Sequence, residues 1–162
     1  MQRLQNRAQF QAVLAAGTVA RTAHFALHAL TWLAPAMAGA PDTMTPANPS
    51  RASRARPLFP TTGIWLGAMV PKRWARRAVT RNTIKRQIYA LAPQYETRLP
   101  CAAYVVRLRS TFDRKQFVSA TSEPLRQAVR AELEHLFRQA ARWAAAAETT
   151  HAACGLEKPQ TP

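Results

Sequence analysis

Residues 72–86 read KRWARRAVTRNTIKR, and seven of these fifteen residues are lysine or arginine while none is acidic. Like charges this close repel one another, so the segment must meet a polyanion or face water. Ile84, Ile88 and Leu91 recur at i, i+4 and i+7, which predicts a helix with one apolar seam that docks on a core. A separate sector of the same helix holds Arg81, Asn82, Lys85, Arg86 and Tyr89.

The composition indicates the same kind of partner as the basic segment. The chain has 162 residues and a formal net charge of +15, from 23 lysines and arginines against 8 aspartates and glutamates. At this balance a phosphate backbone is the expected partner, and an anionic membrane surface is the next candidate. Hydrophobic residues make up 48% of the chain, enough for one compact domain of about 110–130 residues with flexible segments.

The cysteines, histidines and terminal segment bear on location and on metal binding. Cys101 opens an apolar run and Cys154 lies in a polar segment, so no disulfide is expected between them. Two unpaired cysteines are typical of a protein in a reducing, cytoplasmic compartment. The first ten residues do not resemble a signal peptide. The sequence contains no run of 18 apolar residues, so no membrane-spanning helix is predicted. The four histidines show no ligand spacing, so no metal site formed by the protein is predicted.

The first part of the chain predicts a helix, a strand and an insertion. Apolar residues at helical spacing predict a helix over residues 5–16, and partial alternation predicts a strand over 24–33. Residues 35–60 hold six prolines and no periodic apolar face, which is typical of a flexible insertion. Two interpretations of this insertion stay open: it could be an inert loop, or its arginines could form a mobile electrostatic contact. These arginines are Arg51, Arg54 and Arg56.

The second part predicts two strands and two helices. A buried strand is expected over 61–70, the basic helix from Lys72 to near Pro93, and another strand over 101–108. A long apolar stripe predicts a helix over 123–147, followed by a disordered tail at 148–162. Helices interspersed with a small sheet, without regular βαβ alternation, predict a single α+β domain over residues 1–147.

The basic segment and the strand before it resemble the RNR motif region of the bacterial ribonuclease P protein family. The family pattern is roughly a strand ending in LG-x-x-V, then paired basic residues, then A-x-x-RN-x-x-KR on a helix. The matching residues are Leu66-Gly67, Val70, Lys72-Arg73, Arg76-Arg77-Ala78, Arg81-Asn82 and Lys85-Arg86. The resemblance extends over about residues 3–143 without the insertion. One departure is Tyr89-Ala90, where many members carry an Arg-Glu pair.

The resemblance implies a fold and a role. The fold is a single α+β domain of αβββαβα type (ribosomal protein S5 domain 2-like) with a left-handed βαβ crossover. The role is that of the protein subunit of a cytoplasmic ribonucleoprotein that removes the 5′ leader of precursor tRNA. The resemblance further implies that the RNA subunit carries the Mg²⁺-dependent chemistry, with the protein as a monomer in a 1:1 complex and no membrane involved.

Two binding surfaces follow from the residues and the resemblance together. The first is expected to contact phosphates of the catalytic RNA through Lys72, Arg73, Arg76, Arg77, Arg81, Asn82, Lys85 and Arg86. Two residues of the basic helix stay ambiguous. Asn82 could instead cap the helix locally or be a solvated amide, and the neighbouring Tyr89 could stack on a base or pack on lysine stems. The second, implied by the resemblance, binds the single-stranded leader through the aromatic residues Phe10 and Phe25.

The acidic residues predict that the protein itself carries no catalytic residue. Phosphodiester hydrolysis by protein groups needs a carboxylate cluster or a placed acid and base. The eight acids of this chain are scattered, and none lies beside the basic segment. A protein-only nuclease is therefore not favoured. The other alternative, a basic ribosomal or ribosome-assembly protein, remains open on composition, whereas the register of the motif with its flanking strands favours ribonuclease P.

Overall fold

The computed structural model of this chain describes residues 1–31, 58–61, 63–113, 115–117, 119 and 122–154. The predicted insertion at 35–60, with its three arginines, lies outside the described residues except for residues 58–60. The end of the predicted tail, residues 155–162, also lies outside them.

The first helix, α1 (Arg7–Ala16), is fixed at both ends by local chemistry. At its start, Asn6 Oδ1 accepts a hydrogen bond from the Gln9 amide at 3.0 Å, and Gln9 Oε1 accepts one from the Asn6 amide at 3.3 Å. This reciprocal capping box satisfies amides that have no partner within the helix. At its end, Gly17 has a φ of 115°, which glycine adopts more easily than other residues. The predicted first helix is confirmed.

Five strands form one mixed sheet with the spatial order β1-β4-β5-β3-β2. Strand β4 runs parallel to both β1 and β5, whereas β3 pairs antiparallel with β5 and with β2. The strands are β1 (Gln2–Arg3), β2 (Thr18–Arg21), β3 (Phe25–Thr31), β4 (Trp65–Met69) and β5 (Ala102–Leu108). The sequence analysis did not predict β1 or β2. Strand β2 completes the αβββαβα order that the resemblance implied.

The basic segment is only partly helical, which corrects the prediction of one helix starting at Lys72. Helix α2 spans Ala78–Leu91, and residues 72–74 form a turn before it. The Pro71 carbonyl accepts hydrogen bonds from the amides of Trp74 and Ala75, both at 3.1 Å, and these close the turn. After Leu91 the chain tightens into a 3₁₀ helix, Ala92–Arg98, because Pro93 has no amide hydrogen to continue the α-helical pattern.

The closing helix, α3, spans Glu123–Cys154 and is longer than predicted. We expected it to end at Ala147, with a disordered tail from residue 148. The run of four alanines at 144–147 has high helix propensity and contains no breaker, so the helix continues through it.

The sheet separates two apolar clusters. One face packs against α2 and α3 and forms the larger cluster, which includes the fully buried Phe25, Tyr104, Ile88 and Phe137. The opposite face carries α1 and a smaller cluster built on Leu4, Val13, Trp65, Ala103 and Val105. Successive residues of a strand point to opposite faces, so β5 contributes alternately to both clusters. Within the described residues, no helix is both long enough and apolar enough to cross a bilayer.

Candidate nucleic-acid interface

Helix α2 presents an apolar side to the core and a basic side to the surface. Ile84 and Ile88 are completely buried and Leu91 is 3% exposed, which confirms the predicted seam. Asn82, Lys85 and Arg86 are exposed. Helix α2 contains no acidic residue, so no carboxylate of the helix lies beside them. This division follows from the 3.6-residue period, which sets residues three and four apart on one side.

The basic side of α2 forms one wall of an open groove, which we call the α2 groove. It is lined by Arg3, Asn82, Lys85, Arg86, Tyr89 and Ala90. Arg3 comes from β1, and its guanidinium carbon lies 4.2 Å from the centre of the Tyr89 ring. This cation–π contact orders the arginine and brings a cation to the side where Tyr89-Ala90 replaces an Arg-Glu pair. The sequence analysis missed Arg3, because its place in the groove depends on the pairing of β1 with β4.

Arg81 does not extend into the α2 groove as the helical wheel predicted. Its Nη1 atom donates hydrogen bonds to the carbonyl oxygens of Ala75 and Arg76, at 3.1 and 2.8 Å. Both acceptors belong to the connection between β4 and α2, so Arg81 holds that connection against the first turns of the helix. Its charge still adds to the local positive potential, but its Nη1 atom is used for hydrogen bonds within the fold.

The residues before α2 form a second basic group around a concave site, which we call the α2 N-terminal cavity. Its volume is about 370 Å³. Three predicted site residues line it, namely Arg73, Arg76 and Arg77, while Lys72 is exposed and does not line it. Aromatic residues from the connection between β5 and α3 complete the wall, namely Phe112 and Phe117. The predicted site is thus divided between a groove and a cavity.

Phe10 lies at the surface of the α1 face and remains a candidate for stacking. Its ring is half-buried and packs on the smaller apolar cluster. The fit beneath it is tight, since a Cβ added at Gly67 would lie 2.5 Å from Phe10 Cε1 and 2.7 Å from Leu4 Cδ1. Gly67 therefore leaves the room above β4 in which the side chains of Phe10 and Leu4 pack.

Phe25 is a core residue, which corrects its assignment to the leader surface. Its exposed fraction is zero, and its ring centre lies 6.0 Å from that of Phe112 within the larger cluster. The side chain points to the sheet face covered by α2 and α3, opposite to the face that carries α1. No ring surface is left on which a base could stack.

The α1 face also carries a histidine and an arginine that the sequence analysis did not single out. In the antiparallel register His28 lies opposite Val105, and Arg107 follows two residues later on the same face. Burial lowers the pKa of His28 below its usual 6.5, and the charge of Arg107 lowers it further. The Nε atom of Arg107 is buried and has no hydrogen-bond partner among the described residues. This face therefore combines the charge of Arg107 with a His28 imidazole that is held in its neutral form.

The described residues offer no protein site for a divalent cation. No group of three or more histidine, cysteine, aspartate or glutamate side chains in the described ranges comes close enough to hold a metal ion. The pair His24 and Glu132 is joined at 2.5 Å, and the same carboxylate accepts from Thr22 Oγ1 at 2.9 Å. This carboxylate is used to tie the β2–β3 turn to α3.

Comparisons with known proteins agree with the geometry. A family model described as Ribonuclease P matches residues 1–141. The chain is 40% identical over 77 residues to the ribonuclease P protein component of Bordetella parapertussis, covering 48% of this chain and 58% of the relative. It is 36% identical over 77 residues to that of Paraburkholderia xenovorans, covering 48% and 55%. The chain therefore matches less than two thirds of the length of these curated relatives.

A solved structure shows the same fold. The structure of the Staphylococcus aureus RNase P protein is similar to this chain with a TM-score of 0.53 and 17% sequence identity. The similarity covers 85% of this chain and 94% of that one. At this identity the similarity concerns the fold, and it confirms the predicted small α+β domain.

Proposed function

Because this chain belongs to the bacterial ribonuclease P protein family, we propose that it is the protein subunit of ribonuclease P. In this role it binds the catalytic RNA and the 5′ leader of precursor tRNA, and it assists the endonucleolytic removal of that leader. It acts in the cytoplasm as a monomer in a 1:1 complex with the RNA. The family match favours this role over that of a ribosomal or ribosome-assembly protein.

The observation that carries the proposal is the two-sided construction of α2. The apolar seam fixes the helix to the core, while Lys85 and Arg86 stand exposed beside Asn82. A rigid helix holds these groups at constant spacing, so a folded RNA can meet several of them at once without first ordering the protein. Asn82 can both donate and accept hydrogen bonds, which suits a 2′-hydroxyl or a base edge.

The catalytic step is assigned to the RNA subunit, with Mg²⁺ held mainly by RNA. Two-metal hydrolysis requires ligands that grip both ions, and the described side chains of this protein do not form such a group. The protein supplies positive charge and a folded surface on which RNA can bind. By offsetting phosphate repulsion it lowers the concentration of free Mg²⁺ at which catalytic RNA and substrate associate.

We assign the leader to the α1 face. Phe10 gives a half-buried ring, and Arg107 gives positive charge on the same side of the sheet, where His28 adds a polar imidazole. Stacking of a base on an aromatic ring tolerates changes of sequence because every base has a flat face. An enzyme that processes many precursors needs that tolerance.

The proposal predicts a strong dependence of RNA affinity on salt. If about five phosphates are neutralised, the slope of log K against log salt concentration is expected near −3 to −4 on RNA. Equilibrium binding of the full chain to a bacterial catalytic RNA, measured across a salt series at fixed Mg²⁺, gives this slope directly. A slope close to zero would contradict an electrostatic interface.

The leader surface predicts a selective effect of Phe10→Leu. Leucine keeps most of the apolar packing over Gly67 but removes the ring, so the loss falls on stacking, which is worth ~1–3 kcal/mol per base. We expect affinity for precursor tRNA to fall about fivefold or more, with affinity for mature tRNA unchanged. The measurement compares both ligands on the reconstituted holoenzyme. An equal loss for both would remove Phe10 from the leader site.

A further inference from the structure

The α2 N-terminal cavity combines positive charge and flat apolar walls in one concave site. Its basic side is formed by Arg73, Arg76 and Arg77, and its apolar side by Trp74, Phe112, Phe117 and Leu125. Three residues that carry hydroxyl groups also line the cavity, namely Thr80, Thr111 and Ser119. A volume of about 370 Å³ lies within the range of sites for small organic ligands.

No ion pair among the described residues compensates the positive charge at this cavity. None of the three arginines is paired with a carboxylate among the described residues. The cavity also lies at the N-terminus of α2, where Arg77 makes no side-chain capping bond and the first turn has no acidic residue. Helix amides and the helix dipole favour an anion at this end, and cations there are unfavourable without one.

The wall of the cavity also holds a donor without an acceptor. The Nε1 atom of Trp74 is buried and has no hydrogen-bond partner among the described residues. A buried indole N–H without an acceptor is unfavourable. The guanidinium carbon of Arg73 lies 5.2 Å from the centre of the same indole ring, so charge and aromatic surface are already adjacent.

The aromatic residues of the cavity are held in place by contacts with neighbouring rings. The Phe112 ring is stacked on His24 with ring centres 4.0 Å apart, and it meets Phe117 edge to face with centres 5.8 Å apart. Phe112 is 8% exposed, whereas Phe117 is only partly buried and packs at the margin of the core. Phe117 therefore has ring surface that a flat ligand can reach.

We propose that this cavity binds one unstacked ribonucleotide of the RNA partner, with its phosphate at the arginines and the α2 N-terminus and its base against the aromatic wall. The hydroxyl-bearing residues of the lining suit the ribose. An anion alone would leave the aromatic side unused, and an apolar ligand would leave the arginines unpaired. Splayed-out bases held by aromatic side chains and arginine planes are a common way in which proteins recognise RNA. The inference rests on the proposed function and adds a specific pocket to it.

The test uses adenosine 5′-monophosphate as the probe, with inorganic phosphate and adenosine as partial probes. Binding to the full chain is measured by calorimetry at fixed ionic strength. We expect the monophosphate to bind at least about fivefold more tightly than inorganic phosphate, because the base adds stacking. Equal affinity for the two anions would show an anion site only and would overturn the nucleotide assignment.

Two substitutions separate the parts of the site. Arg77→Gln is expected to weaken both the monophosphate and inorganic phosphate, whereas Phe117→Leu is expected to weaken the monophosphate and leave inorganic phosphate unchanged. Arg138→Gln removes one exposed arginine on α3 and serves as the control with no effect on either probe. Equal effects of Arg77→Gln and Arg138→Gln would mean that the probes sense net charge rather than this cavity.

A competition experiment identifies the source of the nucleotide. If the bound unit belongs to the RNA, saturation of the chain with a bacterial catalytic RNA displaces the monophosphate. Retention of the monophosphate in that complex would assign the cavity to a free nucleotide and overturn the proposal. The salt dependence of RNA binding by the unsubstituted chain is measured separately. Its loss would count against the proposed function, whereas failure of the probe experiments alone would leave that function standing.

Discussion

Replacing both Lys85 and Arg86 with glutamine is expected to weaken binding of the catalytic RNA on the order of 30-fold at about 0.1 M salt. Both side chains are exposed in the α2 groove, and neither is needed for packing. Each phosphate contact contributes through the release of condensed counterions, so the loss of two contacts also flattens the salt slope by about 1.4. Equilibrium binding across a salt series measures both quantities in one experiment.

The matched control is Arg130→Gln combined with Arg138→Gln. These two arginines are exposed on α3, where both pair with Glu134 at 3.1 and 3.4 Å. The control lowers the net charge by the same amount, and exposed pairs of this kind contribute little to stability. We expect it to change RNA affinity by less than about threefold through the general charge alone. Similar losses in the two double variants would mean that total charge, not the α2 groove, binds the RNA.

Ile88→Ala is expected to lower the free energy of unfolding by about 2–5 kcal/mol. The side chain is completely buried in the seam that joins α2 to the larger cluster, so its truncation leaves a cavity as well as lost apolar contact. Small domains have a total stability of about 5–15 kcal/mol, and self-repulsion in so basic a chain reduces the margin. Urea denaturation monitored by circular dichroism gives the change directly.

Val79→Ala is the control for the same helix. Val79 is 54% exposed in the first turn of α2, so its truncation removes little buried area, and alanine is the better helix former. We expect a change of less than about 0.5 kcal/mol. Bound RNA should recover part of the stability lost in Ile88→Ala, because a ligand that binds only the folded state stabilises it. Equal destabilisation by the two substitutions would contradict the docking of α2 through its seam.

The features that the sequence revealed are those set by local period. Ile84, Ile88 and Leu91 could be assigned to the core because helical spacing places them on one side whatever they pack against. The exposed positions of Asn82, Lys85 and Arg86 follow from the same rule. The α+β class followed from the order of elements, since those elements were recognisable one at a time.

The features that the sequence did not reveal depend on distant pairing. Arg3 reaches the α2 groove only because β1 pairs with β4, with Gln2 opposite Trp65. Phe25 was placed on the wrong face because the side of a strand residue depends on register, which a single apolar run does not fix. The helical wheel places Arg81 in the basic sector of α2. Its side chain instead bonds to two carbonyl groups of the connection before α2, and helical periodicity does not predict such contacts. Phe112 and Phe117 join the arginines only through tertiary contact.

Reconstitution of precursor tRNA cleavage tests the central claim most directly. The full chain is added to a bacterial catalytic RNA, and the rate of leader removal is measured across a Mg²⁺ titration with and without each component. The account predicts that the chain raises the rate at low Mg²⁺, loses that advantage as Mg²⁺ increases, and cleaves nothing without the RNA. No stimulation at any Mg²⁺ concentration, or cleavage by the protein alone, would contradict it.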